Sequence, residues 1–248
     1  HYRPSAAYVA TVVLIESTKP TRPTLPVLTR GPVDPVTHVE RGVAVQADLL
    51  PPFPTIQTVA ATNGQPAATV GATVELTGHH LDGTNPLILL SNSRFEISQA
   101  VPAAGGGSSI KTSFTVPTVP AGLYQLALQV IRPGESAPRT SNALALLIGP
   151  EITTALPIAV ARDGSGVATL VLAVQPQVQP GQSVSLLLGT REVPVGPIPM
   201  ATGTLTVPIP DAPIGEFLLR IRVDGLDSPI IDRSAIPPAF YNYRVTIT

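Results

Sequence analysis

The 248-residue chain contains no cysteine and no tryptophan, and its aromatic rings amount to five Phe and five Tyr. Without cysteine there is no disulfide scaffold, no thiol nucleophile, no Cys-ligated zinc and no iron–sulfur cluster. Charge is sparse and balanced, 15 Lys and Arg against 16 Asp and Glu. A net charge of −1 offers neither a basic field for nucleic acid nor an acidic tail for a basic partner, so no nucleic-acid partner is expected. Long apolar runs are lacking too. The longest, residues 6–15, includes Tyr8 and Thr11, and a membrane-spanning helix needs about 20 residues. The polar stretch after it, Glu16-Ser17-Thr18-Lys19-Pro20, offers no small-residue cleavage site, so no signal peptide is read here. The chain opens on His1, not Met, which leads to the expectation that it is a fragment or that earlier residues are missing.

What is present is proline, glycine and aliphatic bulk: 29 Pro, 20 Gly and 44% hydrophobic residues. The hydrophobic content argues for packed structure over disorder, and the length suffices for one large or two ordinary domains. Three pieces are expected. Residues 1–52 begin with a β-branched, strand-like run, Tyr8-Val9-Ala10-Thr11-Val12-Val13-Leu14-Ile15. Pro20, Pro23 and Pro26, then Pro32, Pro35, Pro51 and Pro52, forbid helix and ladder pairing and keep the chain extended. A lone strand cannot bury itself, so this piece reads as the end of a further domain plus a Pro-rich linker.

Residues 53–150 and 151–248 read as two copies of one unit. Gly122 is followed by Tyr124, Leu126, Leu128 and Val130, and Gly215 by Phe217, Leu219, Ile221 and Val223, at the same spacing of two. Such alternation puts one face in a core and the other, here with Arg220 and Arg222, toward water. A second match pairs Gly71, ahead of Val74 and Leu76, with Gly181, ahead of Val184 and Leu186, and a matching Val-Pro boundary, Val116-Pro117 and Val207-Pro208, lies ahead of the Gly122 and Gly215 strands. Asp163-Gly164-Ser165-Gly166 is expected to turn a hairpin between residues 158–162 and 167–174, and Asp82-Gly83, Pro133-Gly134 and Asp224-Gly225 mark further turns. No helical periodicity spans three turns. The fold class expected is therefore all-β, two tandem immunoglobulin-like sandwiches with aliphatic cores.

A search for chemistry returns little. There is no Gly-x-Ser-x-Gly elbow, and the histidines are His1, His38 and the adjacent pair His79-His80, which on a strand face opposite ways. The run Gly105-Gly106-Gly107-Ser108-Ser109 lacks the lysine and helix of a phosphate loop and reads as a hairpin tip. Asp224, Asp227 and Asp232 are irregularly spaced and match no calcium loop, so a solvated loop is the better reading. No catalytic residue, cofactor or metal site is expected.

Two segments carry a family resemblance. Arg3-Pro4-Ser5-Ala6-Ala7-Tyr8 and the strand after it, followed by Leu25-Pro26-Val27-Leu28-Thr29-Arg30-Gly31, resemble the end of the N-terminal domain of the cap proteins of extracellular contractile injection systems, phage-tail-like bacterial particles whose cap resembles a tail terminator. Val70-Gly71-Ala72-Thr73-Val74-Glu75-Leu76-Thr77-Gly78 and Pro120-Ala121-Gly122-Leu123-Tyr124 resemble the IPT/TIG subtype of immunoglobulin-like domain, and Asp224-Gly225-Leu226-Asp227-Ser228-Pro229 is similar to the ends of such proteins. The resemblance implies a non-enzymatic structural role: a homo-oligomer, a ring of six, that closes tube and sheath. Arg3, Tyr8 and Arg30 would then lie at the assembly interface, and the immunoglobulin-like pair would project outward toward a membrane or surface attachment partner. The particle would assemble in the cytoplasm and be released or membrane-anchored. The alternative is a surface adhesin or carbohydrate-binding module, with Tyr241 and Tyr243 as its sugar contacts; a third reading, an accessory module of a hydrolase, requires a catalytic domain ahead of His1.

The register is testable. Leu126→Asp and Ile221→Asp are each expected to unfold the domain that carries them, read by circular dichroism. A folded variant with an unshifted Tm contradicts the assigned inward face.

Overall fold

The computed structural model describes residues 53–61, 64–104 and 107–248. The strand-like run, the Pro-rich piece and the assembly candidates Arg3, Tyr8 and Arg30 lie outside the described residues. Alternation decides the architecture. Tyr124, Leu126, Leu128 and Val130 are all fully buried, as are Leu219, Ile221 and Val223, while the residues between them face outward. Sheets with one apolar face each must pair, and the molecule is all-β, built as sandwiches.

The first sandwich comprises β1 (Thr55–Ala61), β2 (Thr73–His79), β3 (Thr84–Asn92), β4 (Ile97–Pro102), β5 (Lys111–Thr115), β6 (Gly122–Ile131), β7 (Arg139–Thr140) and β8 (Leu144–Ile148). A three-stranded sheet, β1-β2-β5, covers a five-stranded one, β4-β3-β6-β7 with β8 also on β6. Val74, Leu76 and Phe114 from the smaller sheet meet Ile88, Leu90, Leu126 and Leu128 from the larger. Gly78 of the IPT/TIG-like segment lies where the Thr55 carbonyl crosses β2, and a Cβ there would collide with that backbone.

The second comprises β9 (Glu151–Ile152), β10 (Ile158–Val160), β11 (Ala168–Val178), β12 (Val184–Leu188), β13 (Arg191–Pro194), β14 (Thr202–Ile209), β15 (Gly215–Val223), β16 (Leu226–Asp227), β17 (Ile231–Asp232), β18 (Ala239–Phe240) and β19 (Arg244–Ile247). Sheet β14-β11-β9 covers β10-β19-β15-β12-β13, with β16 on β15, and β17-β18 form a separate ribbon. Leu170, Leu172, Leu205 and Val207 meet Leu186, Leu219, Ile221 and Val245 in its core. Its topology repeats the first: β9, β11 and β14 stand for β1, β2 and β5; β12, β13, β15 and β19 for β3, β4, β6 and β8.

Three expectations are corrected. The Gly71 and Gly181 strands are not equivalent: β2 pairs with β1 and β5 in the small sheet, whereas β12 pairs with β13 and β15 in the large one. Both glycines sit at positive φ, +81° and +79°, in the turn before a strand. Any such turn followed by inward–outward alternation gives the same apolar spacing. The hairpin at Asp163 also forms only its tip. The Asp163 carboxylate accepts the N–H groups of Ser165 (2.8 Å) and Val167 (2.9 Å), but β10 pairs in parallel with β19, not with β11. Crossing to the other sheet lets Ile158 and Val160 pack on the core. The first sandwich makes the same crossing through one parallel bridge, Ala68 to Ile148. Val207-Pro208, read as a strand boundary, lies within β14, where Pro208 stands opposite Thr169.

The two copies differ at one corner. The buried Tyr124 hydroxyl donates to the Pro120 carbonyl at 2.8 Å, tying the start of β6 to the chain before it. Burial pushes its phenol up to about 12. Phe217 holds the matching place in β15 without a hydroxyl, half-buried. Tyr124→Phe is expected to cost the first sandwich about 1 kcal/mol in denaturant melts. The folded pKa is raised, so the tyrosine's contribution is complete below its ordinary value of 10 and is lost as pH climbs toward about 12. The Phe variant should lack that part of the alkaline decline; an identical alkaline profile contradicts the corner's role.

Candidate functional site at the junction between the sandwiches

Gly149 and Pro150 join β8 to β9, and both are buried. The Gly149 N–H donates to the Ala68 carbonyl at 2.8 Å. A Cβ on Gly149 would stand 3.2 Å from the Ala67 Cβ, a tight contact, and 3.6 Å from the Asp227 carbonyl oxygen, so the two sandwiches approach closely here. Ala121, from the segment leading into β6, packs in the core of the second sandwich.

Beside Ala121 lies a polar network. Gln182 is buried, and its Nε2 donates to the Ala121 carbonyl (3.0 Å) and to Asp224 Oδ2 (2.8 Å), while its Oε1 accepts the Gln179 N–H (2.8 Å). Asp224 stands in the β15–β16 turn at φ +48°, next to Gly225 at +81°. Its carboxylate also accepts the Ser183 N–H (3.0 Å) and Arg94 Nη1 (2.8 Å). The other guanidinium nitrogen of Arg94, Nη2, donates to the Gly181 carbonyl (2.6 Å), and its Cζ lies 5.3 Å from the Phe95 ring centroid. Arg94 is itself aimed by Asn92 at the end of β3, whose Oδ1 accepts the Arg94 N–H (2.9 Å) and whose Nδ2 donates to the Leu123 carbonyl (3.1 Å). Burial pushes the Asp224 carboxyl up, but the bonds from Gln182 and Ser183 and the Arg94 charge outweigh it and hold it below its ordinary range.

Beside a hollow of about 130 Å³ at Gly149, lined in part by Gln65, Thr69, Arg220 and Arg233, two more flank the junction. One, of about 650 Å³, is lined in part by Arg94, Phe95, Leu123, Leu147, Asp224 and Leu226. Leu123 and Leu147 stand opposite each other on β6 and β8 and are solvent-exposed. The other, of about 170 Å³, takes Glu151, Tyr241 and Tyr243 from the second sandwich and Gln65, Thr69 and several alanines from the first. The two tyrosine rings stack with centroids 5.2 Å apart and planes 28° apart. Further bonds cross the junction at Gln65 Nε2 to the Ile231 carbonyl (2.8 Å) and Gln175 Nε2 to the Val70 carbonyl (3.4 Å).

The sequence candidates are scattered. His79 Nε2 lies 3.0 Å from Gln57 Nε2 at the end of β2, and His80 Nδ1 lies 3.2 Å from Arg132 Nη2. Asp227 is held by Arg220 (3.0 Å) and Arg222 (2.6 Å), and Asp232 by the Ser234 hydroxyl (2.5 Å), so the three aspartates do not converge. Among the described residues no group of three His, Cys, Asp or Glu could hold a metal, and no helix is long and apolar enough to cross a membrane. Sequence reasoning did not single out Arg94, Gln182 or Glu151. Only the Asp224-Gly225 turn and the paired tyrosines were visible in advance.

A family model described as a domain of unknown function (DUF8756) matches residues 150–247, from the junction proline through β19. No curated protein matches the chain. Among solved structures it is similar to the Bacteroides ovatus mixed-linkage glucan utilization locus protein SGBP-B in complex with a mixed-linkage heptasaccharide: TM-score 0.29, 16% identity, 79% of this chain and 46% of that one. It is also similar to the chicken interferon gamma receptor alpha chain, with TM-score 0.33, 11% identity, and 71% and 94% of the two chains. For the titin I-band fragment I67–I69 the values are TM-score 0.30, 15% identity, and 78% and 66%. The chain thus spans just under half the length of the glucan-locus protein.

Gln182→Ala removes the donor shared by the Ala121 carbonyl and Asp224, and is expected to cost about 1–3 kcal/mol in chemical denaturation. The lowered Asp224 pKa makes its contribution present above the ordinary value of 3.8 and lost as pH falls through the folded value. With intrinsic hydrogen-exchange rates divided out, protection of the junction amides should therefore be unaltered by this group from neutrality to about pH 4 and fall below it. Asp224→Asn should abolish the acid step; a step retained in that variant contradicts the assignment.

Proposed function

We propose that this chain is a non-enzymatic structural protein in which two immunoglobulin-like sandwiches form one stiff arm. The observation that carries this reading is the buried Gln182 amide, whose hydrogen bonds reach the Ala121 carbonyl of the first sandwich and Asp224 of the second. A spacer that must hold surfaces at a set separation needs such a junction, since domain interfaces without it allow relative motion by default. The non-enzymatic reading is supported by the occupation of Asp224, Asp227 and Asp232 with arginine, amide and hydroxyl partners.

The arm belongs, in this reading, to the cap of a phage-tail-like contractile injection system. Its support is the resemblance of residues 3–31 to the cap family. The cap, a ring of six, closes tube and sheath through a docking domain that includes Arg3, Tyr8 and Arg30, and the arm projects outward to an attachment partner. A second reading, a surface adhesin or carbohydrate-binding module, is favoured by one feature, the stacked Tyr241–Tyr243 pair at a hollow.

Cryo-electron microscopy of particles purified from the native host, with mass spectrometry to locate this chain, tests the cap assignment. Density for the chain at one end of a sheathed tube is expected, with the ring order read directly. Absence of the chain from every tube-like particle overturns the cap assignment and moves the binding module ahead.

A further inference from the structure

The hollow at Glu151 has an unusual charge balance. Glu151 begins β9 and is partly buried, and burial pushes its carboxyl up while a hydrogen bond from Thr69 pulls it down. Among the described residues no arginine, lysine or histidine lies within ion-pair distance of it, and no cationic side chain lines the hollow. The Tyr241 and Tyr243 phenols are pushed up first by their burial and then by neighbouring negative charge, Asp232 and Glu151 for Tyr241 and Glu151 for Tyr243. Both phenols therefore stay neutral at physiological pH. A half-buried carboxylate, the stacked Tyr241–Tyr243 pair and alanine side chains such as Ala67 and Ala72 line a space of about 170 Å³.

We propose that this hollow binds an alkylammonium group, either the ε-ammonium of a lysine side chain or a quaternary amine. Aromatic faces attract a cation within about 6 Å of the ring centroid, and more strongly where water is excluded. The carboxylate supplies the opposing charge, and the alanine methyls suit the alkyl carbons that a hydrated metal ion lacks. Calcium is a poor occupant, since it takes 6–8 oxygen ligands and, among the described residues, Glu151 is the one carboxylate that lines the hollow. A neutral sugar can donate hydroxyl hydrogen bonds to Glu151 but leaves its charge uncompensated. An ammonium group offsets it. Because the hollow takes residues from both sandwiches, an occupant would also brace the junction. This inference does not depend on the cap assignment.

The test is a nuclear magnetic resonance titration of the full chain, with labelled tyrosine rings as reporters. Choline and N-acetyl-lysine amide are the two cationic probes; 3,3-dimethylbutanol and N-acetyl-norleucine amide are their neutral counterparts, and cellobiose is the sugar probe. Saturable shifts at Tyr241 and Tyr243 are expected with at least one cation, and the one that saturates distinguishes a quaternary amine from lysine. Neutral counterparts should give none, and Glu151→Gln should weaken binding about tenfold. Tyr241→Ala provides the same test on a different element should Glu151→Gln perturb folding. The proposal is overturned if neither cation saturates, if the neutral counterparts bind equally, if both variants bind as wild type, or if cellobiose alone shifts the rings.

Discussion

A buried amide that loses its hydrogen-bond partners costs about 1–3 kcal/mol, so Gln182 restricts what the two sandwiches can do. Its Nε2 is satisfied by the Ala121 carbonyl from one sandwich and Asp224 from the other, and its Oε1 by Gln179 in its own loop. Separating the sandwiches takes the Ala121 carbonyl from that donor, bares Ala121 from the second core, and leaves Asp224 without Arg94. The connecting residues add to the restriction, because Gly149 and Pro150 are buried where a longer, exposed linker would permit swivelling. Packing, hydrogen bonding and charge therefore favour one arrangement.

The repeat shows how one topology tolerates different local solutions. Both sandwiches place a three-stranded sheet over a larger one, and both cross from one sheet to the other near their start. In the first, a buried tyrosine hydroxyl ties the corner before β6; in the second, Phe217 fills the matching place and the extra ribbon β17-β18 precedes the tyrosine pair. The hollow with Glu151 exists because that elaboration in the second copy meets the alanine-rich turn of the first. A functional surface can arise this way without a change in the underlying fold.

Much of the architecture was legible in the chain, for a definite reason. Strands β6 and β15 alternate over four apolar positions each, and period-2 burial follows directly from strand geometry. The same logic misled at Gly71 and Gly181, since a positive-φ glycine followed by alternation recurs wherever a turn enters a half-buried strand. It also misread β10, because partner choice depends on which sheet offers apolar cover, not on the turn alone. Arg94, Gln182 and Glu151 were invisible: each is a single polar residue at a turn or strand end, with no periodicity, made important by a residue 30 or more positions away. Tyr241 and Tyr243 were noticeable as rings two apart, which a strand-like backbone places on one side, but their carboxylate neighbour was not.

The most direct measurement of the central claim is a set of residual dipolar couplings on the full chain, collected for amides in both sandwiches. A single rigid arm predicts that one alignment tensor, with one magnitude and orientation, fits the couplings from β1–β8 and from β9–β19 together. Two tensors of different magnitude would show independent reorientation about Gly149-Pro150, and would contradict the account in which Gln182, Ala121 and Asp224 lock the sandwiches into one body.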